Sequence, residues 1–205
     1  MTLLNKDEQT KVASAINRVE KDTDAELVTV LTAQSDNYSY IPLVWAGILA
    51  LIVPGALNYV YEWLGADSLM LTQWASFVAL SLVFQIPKIN THLIPKQVRY
   101  WRASNLARRQ FLEQNLHHTT GGTGMLIFVS EAERYVEILV DQGISSRVDN
   151  AVWESIVEAF TQKVKQGQTL QGFLDCIDAC GERLKTEVPA THERNELPNH
   201  LIVLS

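Results

Sequence analysis

Cysteine is scarce in this sequence, and several common features are missing from it. Two cysteines among 205 residues, Cys176 and Cys180, are too few for the disulfide framework of a small secreted protein. Lys and Arg number 17 against 23 Asp and Glu, for a net charge of -6. This acidic balance argues against the clustered basic surface that nucleic acids require, so we expect no nucleic-acid partner. The N-terminal sequence MTLLNKDEQTK lacks the apolar core of a cleavable signal peptide.

Charge is also absent from two long stretches, Asn37 to Tyr61 and Ser68 to Pro87. Each contains about the 20 residues that a helix needs to cross a bilayer core. A strand-like run ends just before the first stretch, and a helix-like run starts after the second, near Lys96. The chain is therefore predicted to leave a folded domain, cross the membrane twice and return to complete the same domain. The alternative, two buried core helices of a soluble protein, is disfavoured because neither stretch carries a charge.

Basic residues predict the orientation of this hairpin. The connecting loop, residues 62–67, contains no Lys or Arg, whereas six basic residues follow the second stretch: Lys88, Lys96, Arg99, Arg102, Arg108 and Arg109. Positive charge is retained on the cytoplasmic side of a membrane. We therefore predict a multi-pass protein of the inner membrane, with an external loop at residues 62–67 and both termini in the cytoplasm.

The remaining sequence predicts one α/β domain. Glu26 to Ala33 is apolar on both faces, as is typical of a covered central strand. Met125 to Val129 and Tyr135 to Val140 are two further strands separated by a short link. A helix between the first two strands favours parallel pairing, and the short link favours an antiparallel neighbour. The predicted fold is a small mixed sheet with helices on both faces, interrupted by the transmembrane hairpin.

These patterns give four predicted segments. Residues 1–36 form the first part of the domain and residues 37–87 form the hairpin with its loop. Residues 88–189 complete the domain, and residues 190–205 are a polar tail that closes with an apolar tetrapeptide.

Asp141 and Asp149, at and beyond the end of the last strand, are the candidate metal ligands. Strand ends in α/β sheets commonly carry ligands, and carboxylates there can bind a hard cation such as calcium or magnesium. The alternative is structural and is favoured, because Asp141 precedes Gly143 in a typical turn composition and Asp149 is a typical helix N-cap. No nucleophile with a neighbouring base can be identified.

Arg99, Trp101 and Arg102 belong to a basic aromatic stretch just beyond the second apolar segment. Such a stretch can lie against anionic lipid headgroups. It can equally be the solvated face of a domain helix that only enforces topology, and the sequence does not decide between the two.

Three segments resemble the TPM domain family. They read INRVEKDTDAELVTVLTAQ, TGMLIFVSEAERYVEILVDQGISSRVDNAVWESIV and VKQGQTLQGFLDCIDACGERLKTEVP. The likeness includes a Gly before the first hairpin strand, a Gly after the second, a Gly before the last helix and a closing Pro. The interrupting hairpin and the ending NELPNHLIVL resemble the membrane-embedded bacterial branch of that family.

The resemblance implies an α/β sandwich with a central sheet. Some members of the family are linked to photosystem repair, to metal binding and to acid phosphatase activity. We weigh three functions for this chain. The first is a cytoplasmic binding or assembly module for a membrane complex, with the lipid bilayer and a membrane protein as partners. The second, which the resemblance implies, is a membrane-tethered, metal-dependent phosphate-ester hydrolase of weak activity. The third is a purely structural subunit of a membrane complex. We favour the first, because the segment after Gly143, SSRVDN, is poor in acidic residues.

Overall fold

The computed structural model describes residues 4–61, 65–86, 89, 93–191 and 201–204. The chain divides into two compact units, one made of Met1–Ser35 with Tyr100–Ser205 and the other of Asp36–Arg99. The first unit therefore contains both ends of the sequence, and the second is inserted between them.

The first unit contains helices and strands in alternation. Its described elements, in chain order, are α1 (Lys6–Asp22), β1 (Glu26–Thr32), most of α4 (Lys96–Glu113), β2 (Gly124–Ser130), β3 (Tyr135–Val140), α5 (Gln142–Ser145), α6 (Asn150–Lys165), α7 (Thr169–Glu187) and β4 (Leu201–Leu204). A short 3-10 turn, Leu116–His118, precedes β2.

The strands form one mixed sheet in the order β3-β2-β1-β4. β1 pairs with β2 in parallel, from Glu26 opposite Gly124 to Thr32 opposite Ser130. β2 pairs with β3 in antiparallel fashion. The predicted small mixed sheet is confirmed, as is the pairing of the first strand with the strand that follows the hairpin in sequence. β4 pairs in parallel with β1, and the sequence did not predict this fourth strand.

Helices cover both faces of the sheet, as predicted. One face packs against α1, α6 and α7 around buried residues such as Ile16, Trp153 and Phe173. The other packs against α4 through Ala103 and Ala107. All seven residues of β1 are buried, as expected of a central strand covered on both faces.

Local sequence sets the helix boundaries of this unit. Asn5 and Glu8 form a capping box at α1, in which each side chain accepts a hydrogen bond from the other residue's backbone N–H. Gly181 on α7 lies so close to α1 that a Cβ there would be 2.6 Å from a methyl group of Val19. The same helix buries Cys176 and Cys180.

The second unit contains the two apolar helices. α2 (Tyr40–Tyr61) includes Pro54, and α3 is Ala66–Phe84. Ala46 and Ala50 of α2 are buried, and a Cβ on Gly47 would lie 4.0 Å from the ring of Phe77. Two spans in these helices, Tyr40–Val60 and Asp67–Phe84, are long and apolar enough to cross a membrane. By length and composition, the two predicted hairpin helices are present.

Candidate functional site

The direction of the strands decides where the predicted site residues lie. β1, β2 and β4 run parallel, so their carboxyl ends share one edge of the sheet, and β3 runs the opposite way. Asp141 follows the end of β3 and therefore lies at the amino edge of the parallel strands. Ligands of parallel α/β sheets usually bind outside the carboxyl ends of the strands. The short link that predicted an antiparallel β3 therefore also places Asp141 at the edge opposite to the one that usually carries ligands.

Backbone contacts surround Asp141. Its N–H donates to the carbonyl oxygen of Gly124 at 2.9 Å, and its carboxylate accepts from the N–H of Gln142 at 2.7 Å. The carbonyl oxygen of Gly122 accepts from the N–H of Gly143 at 2.8 Å. The Gly-rich loop therefore packs on the turn at Asp141, and the carboxylate caps α5.

Asp149 is also a helix cap. Its carboxylate accepts from the N–H of Ala151 at 2.9 Å, at the start of α6. Hard cations usually need six or more oxygen ligands, several of them charged. Throughout the described part of the chain, no group of three or more His, Cys, Asp or Glu side chains is placed to hold a metal ion. The two predicted ligands thus do not make a donor set that fits calcium or magnesium, and their metal role stays a prediction.

A buried carboxylate that sequence reasoning missed lies at the opposite edge. Glu133, in the link between β2 and β3, is 2% exposed and Ser130 at the end of β2 is 1% exposed. The Glu133 carboxylate accepts from the N–H of Ser35 at 3.1 and 3.2 Å and from the hydroxyl of Ser130. The hydroxyl of Ser35 in turn donates to Ser130 Oγ at 2.8 Å. The acidic link SEAER carried no periodic signal that would have marked Glu133 as buried.

The Glu133 cluster is suited to positioning rather than to proton transfer. Both carboxylate oxygens accept hydrogen bonds and the side chain is closed to solvent, so no substrate proton can reach it in this arrangement. Ser35 is the last residue of the α/β unit before the apolar unit begins. The cluster therefore fixes the point at which the chain leaves the sheet.

A polar network joins α4 to β3 on one face of the sheet. The hydroxyl of Tyr135 donates to Glu137 at 2.9 Å, and the hydroxyl of Ser104 donates to the other Glu137 oxygen at 3.4 Å. Burial, with a contribution from Glu137, raises the pKa of Tyr135 to about 12. Tyr135 therefore remains a neutral donor at physiological pH. Its ring also packs edge-on against Tyr100, with the centroids 5.3 Å apart.

An open groove continues along α4 and β3 beyond this network. Its volume is about 270 Å³, and it is lined by Arg108, Phe111, Leu112, Leu139 and Val140. The lining is apolar except at Arg108. Leu112 is 56% exposed, so the groove presents an accessible apolar surface with a cationic rim.

The basic aromatic residues lie on α4. Trp101 is 59% exposed, and the guanidinium of Arg102 lies 5.0 Å from the centroid of its ring. This cation–π contact keeps one basic group beside an exposed aromatic ring. Arg99 falls in the apolar unit. The membrane-surface role of these three residues stays a prediction.

Comparison with known proteins identifies much of the α/β unit. Residues 92–183 match the model of the TPM domain, whose family label is TPM phosphatase. Residues 92–183 are therefore similar to a TPM domain. The resemblance seen in the sequence is confirmed for these residues, and they include every side chain of the groove and both predicted metal ligands.

A solved structure shares the fold of this chain. The NMR structure of the BA42 protein from the psychrophilic bacterium Bizionia argentinensis superposes with a TM-score of 0.61 at 19% sequence identity, covering 98% of this chain and 94% of that one. At this identity the likeness concerns the fold alone. No curated protein matches the sequence.

Proposed function

We propose that this protein is a multi-pass protein of the inner membrane whose cytoplasmic TPM domain is a binding or assembly module for a membrane complex. The observation that carries the proposal is the exposed apolar surface of α2 and α3. The two helices supply the anchor and the TPM domain supplies the binding surface.

The apolar helices are poorly suited to the core of a soluble protein. Only 28% and 6% of the residues in their spanning windows are buried. Seventeen of the twenty exposed large hydrophobic residues of the described chain lie between Tyr40 and Ile86, for example Leu51, Leu71 and Trp74. Soluble monomers rarely expose contiguous apolar patches of more than a few hundred Å². A lipid environment removes this surface from water.

Basic residues support the cytoplasmic placement of the TPM domain. Lys and Arg follow the second apolar helix and are absent from residues 62–67, in keeping with the retention of positive charge inside. Trp101 and Arg102, with Arg99, would then meet anionic headgroups. Each basic residue near such a surface contributes about 1 kcal/mol.

The structural roles of the acidic residues favour a binding function over a catalytic one. Asp141 and Asp149 cap helices, and Glu133 is buried with hydrogen bonds to both oxygens. A catalytic acid or base must instead reach the proton that it transfers. A binding module needs only an accessible surface, and the groove beside β3 supplies one.

The first experiment tests membrane topology. A cysteine replaces Asp67 in one variant and Glu158, an exposed residue of α6, in another. The native cysteines are buried, so the parent protein gives the background. An impermeant maleimide applied to intact cells should label the cysteine at position 67 and not the one at position 158 until the cells are opened. Labelling at position 158 in intact cells would contradict the cytoplasmic placement.

The second experiment tests the assembly role. The full chain is purified from membranes in a mild detergent, and its mass is measured by light scattering. We expect a stoichiometric membrane protein partner that remains bound through gel filtration. A chain that is always recovered alone, at every expression level, would argue against an assembly module.

A hydrolase is the second candidate, and the family label of the matching TPM model is what favours it. The residues available for such chemistry are the helix-capping aspartates. We therefore rank phosphate-ester hydrolysis below binding, and an assay of the purified protein separates the two.

A further inference from the structure

We propose that the open edge of β3 and the groove beside it bind an extended, acidic and apolar peptide segment of a partner protein by strand addition. The proposal rests on the binding role proposed above for the TPM domain. It adds the surface that binds and the chemistry of the segment that is bound.

β3 is an edge strand, and the backbone N–H and C=O groups on its outer side face no strand of the described chain. In the strand order β3-β2-β1-β4, it has β2 on one side and no described strand on the other. The N–H of Asp141 donates inward to Gly124. Because backbone groups alternate in direction along an antiparallel strand, those of Val136, Ile138 and Val140 point away from β2. An added strand can pair with these outward groups.

The groove gives the added strand a place for side chains. Leu139 belongs to the cluster of the α4 face, together with Phe111 and Tyr135. A strand bound beside β3 would present alternate side chains to this same face. The groove volume of about 270 Å³ suits one large aliphatic side chain, packed between Phe111 and Leu139. In strand addition, main-chain hydrogen bonds usually provide the affinity, and pockets for alternate side chains provide the specificity.

Arg108 determines the charge of the bound segment. It is exposed and lines the groove, and no residue of the described chain forms a hydrogen bond or ion pair with it. Its neighbour Arg109 differs, because its guanidinium is paired with Glu113 at 2.7 Å. Glu137, the nearby acid on β3, is already held by Tyr135 and Ser104. A carboxylate on the peptide would therefore complement the cation that the groove leaves unpaired.

The test uses the full chain in detergent and a synthetic probe. The probe is a fluorescein-labelled peptide of sequence Thr-Leu-Thr-Asp-Thr-Leu-Thr, in which Leu and Asp share one face of an extended strand. A second peptide carries Lys in place of Asp, and a third is the Asp peptide with alternate backbone nitrogens methylated. Fluorescence anisotropy should show saturable binding of the Asp peptide and at least tenfold weaker binding of the other two.

Two matched charge reversals test the role of Arg108. Arg108→Glu should weaken binding of the Asp peptide at least tenfold and should bind the Lys peptide better than the parent protein does. This gain cannot come from misfolding. Arg109→Glu, a change of the same charge one residue away, should leave both affinities within about twofold of the parent values.

Any one of three results would overturn the proposal. The Asp peptide could fail to bind at concentrations up to millimolar. The methylated peptide could bind as tightly as the Asp peptide, or Arg108→Glu and Arg109→Glu could change the affinity for the Asp peptide equally. Failure of the strand-addition proposal can be distinguished from failure of the assembly role. If a membrane partner copurifies equally with the parent protein and with Arg108→Glu, the assembly role is supported and this surface is excluded as the binding site.

Discussion

Gly143 shows how closely the turn at the amino edge of the sheet is packed. A Cβ on this residue would lie 2.1 Å from the carbonyl oxygen of Gly121 and 2.6 Å from that of Gly122. Backbone oxygens cannot swing aside as a flexible side chain can. The sequence predicts a turn at Asp141-Gln142-Gly143. It does not show why residue 143 must be glycine, because the loop that packs over it comes from a different part of the sequence.

Replacing Gly143 with alanine should therefore destabilise the α/β unit. We expect a loss of about 1–3 kcal/mol, the usual cost of overpacking a closed site. Thermal unfolding of the purified variant in detergent measures the effect. Gln142→Ala is the control, since the Gln142 side chain is exposed and should matter little. Equal melting temperatures for the two variants would contradict the packing argument.

Glu20 gives the α/β unit a pH-dependent stability. Burial raises its pKa to about 8; the N–H of Leu27 opposes the shift and Glu26 adds to it. One carboxylate oxygen accepts from Leu27 at 2.9 Å, and the other has no hydrogen-bond partner in the described chain. The folded state thus holds a proton that the unfolded state releases near pH 4.5.

The sign of the resulting pH dependence follows from proton linkage. Between the unfolded pKa near 4.5 and the folded pKa near 8, the folded state binds more protons, so the contribution of Glu20 to stability falls as pH rises through this window. Glu20→Gln removes the titration and should melt higher than the parent protein at pH 8.5 and about the same at pH 4. A constant difference across this range would contradict the assignment to Glu20.

Secondary-structure elements were predictable where their pattern is long. The alternation and apolar runs of β1, β2 and β3 predicted all three strands and their pairing, because each is bounded by turn residues and contributes apolar side chains to a core cluster. β4 has four residues after a polar segment. Its pairing with β1 joins distant parts of the sequence, and so short an apolar run gives too weak a signal to place it.

The two faces of β4 allow a matched test of its role. Ile202 and Leu204 pack against the α4 face, whereas Val203 is 38% exposed. Ile202→Lys should cost about 1–3 kcal/mol, because it brings a charge to a partly buried site. Val203→Lys should cost less than about 0.5 kcal/mol, as surface substitutions usually do. Denaturant unfolding of both variants measures the difference, and equal losses would show that β4 does not contribute to the core.

At the scale of the whole molecule, absence of charge was the strongest signal in the sequence. It predicted two apolar helices, and the structure contains them. The candidate site was less predictable. Residue types suggested Asp141 and Asp149, but whether a carboxylate binds a ligand or caps a helix depends on what surrounds it in space. Glu133 and the groove beside β3 arise from contacts between segments far apart in sequence, and for that reason neither was foreseen.

The last prediction concerns phosphatase activity of the whole protein. Hydrolysis of a phosphate monoester needs a positioned nucleophile and charge stabilisation for the phosphoryl oxygens, and Asp141 is engaged as a helix cap. We therefore expect turnover of a generic phosphate monoester far below the usual enzyme range of about 1–1000 per second, with or without calcium or magnesium. Asp141→Asn should change it little. Asn caps helices as well as Asp does, so this variant should fold normally, and Asp149→Asn is the matched control. Turnover within the enzyme range that Asp141→Asn abolishes and Asp149→Asn preserves would establish the hydrolase instead of the binding module.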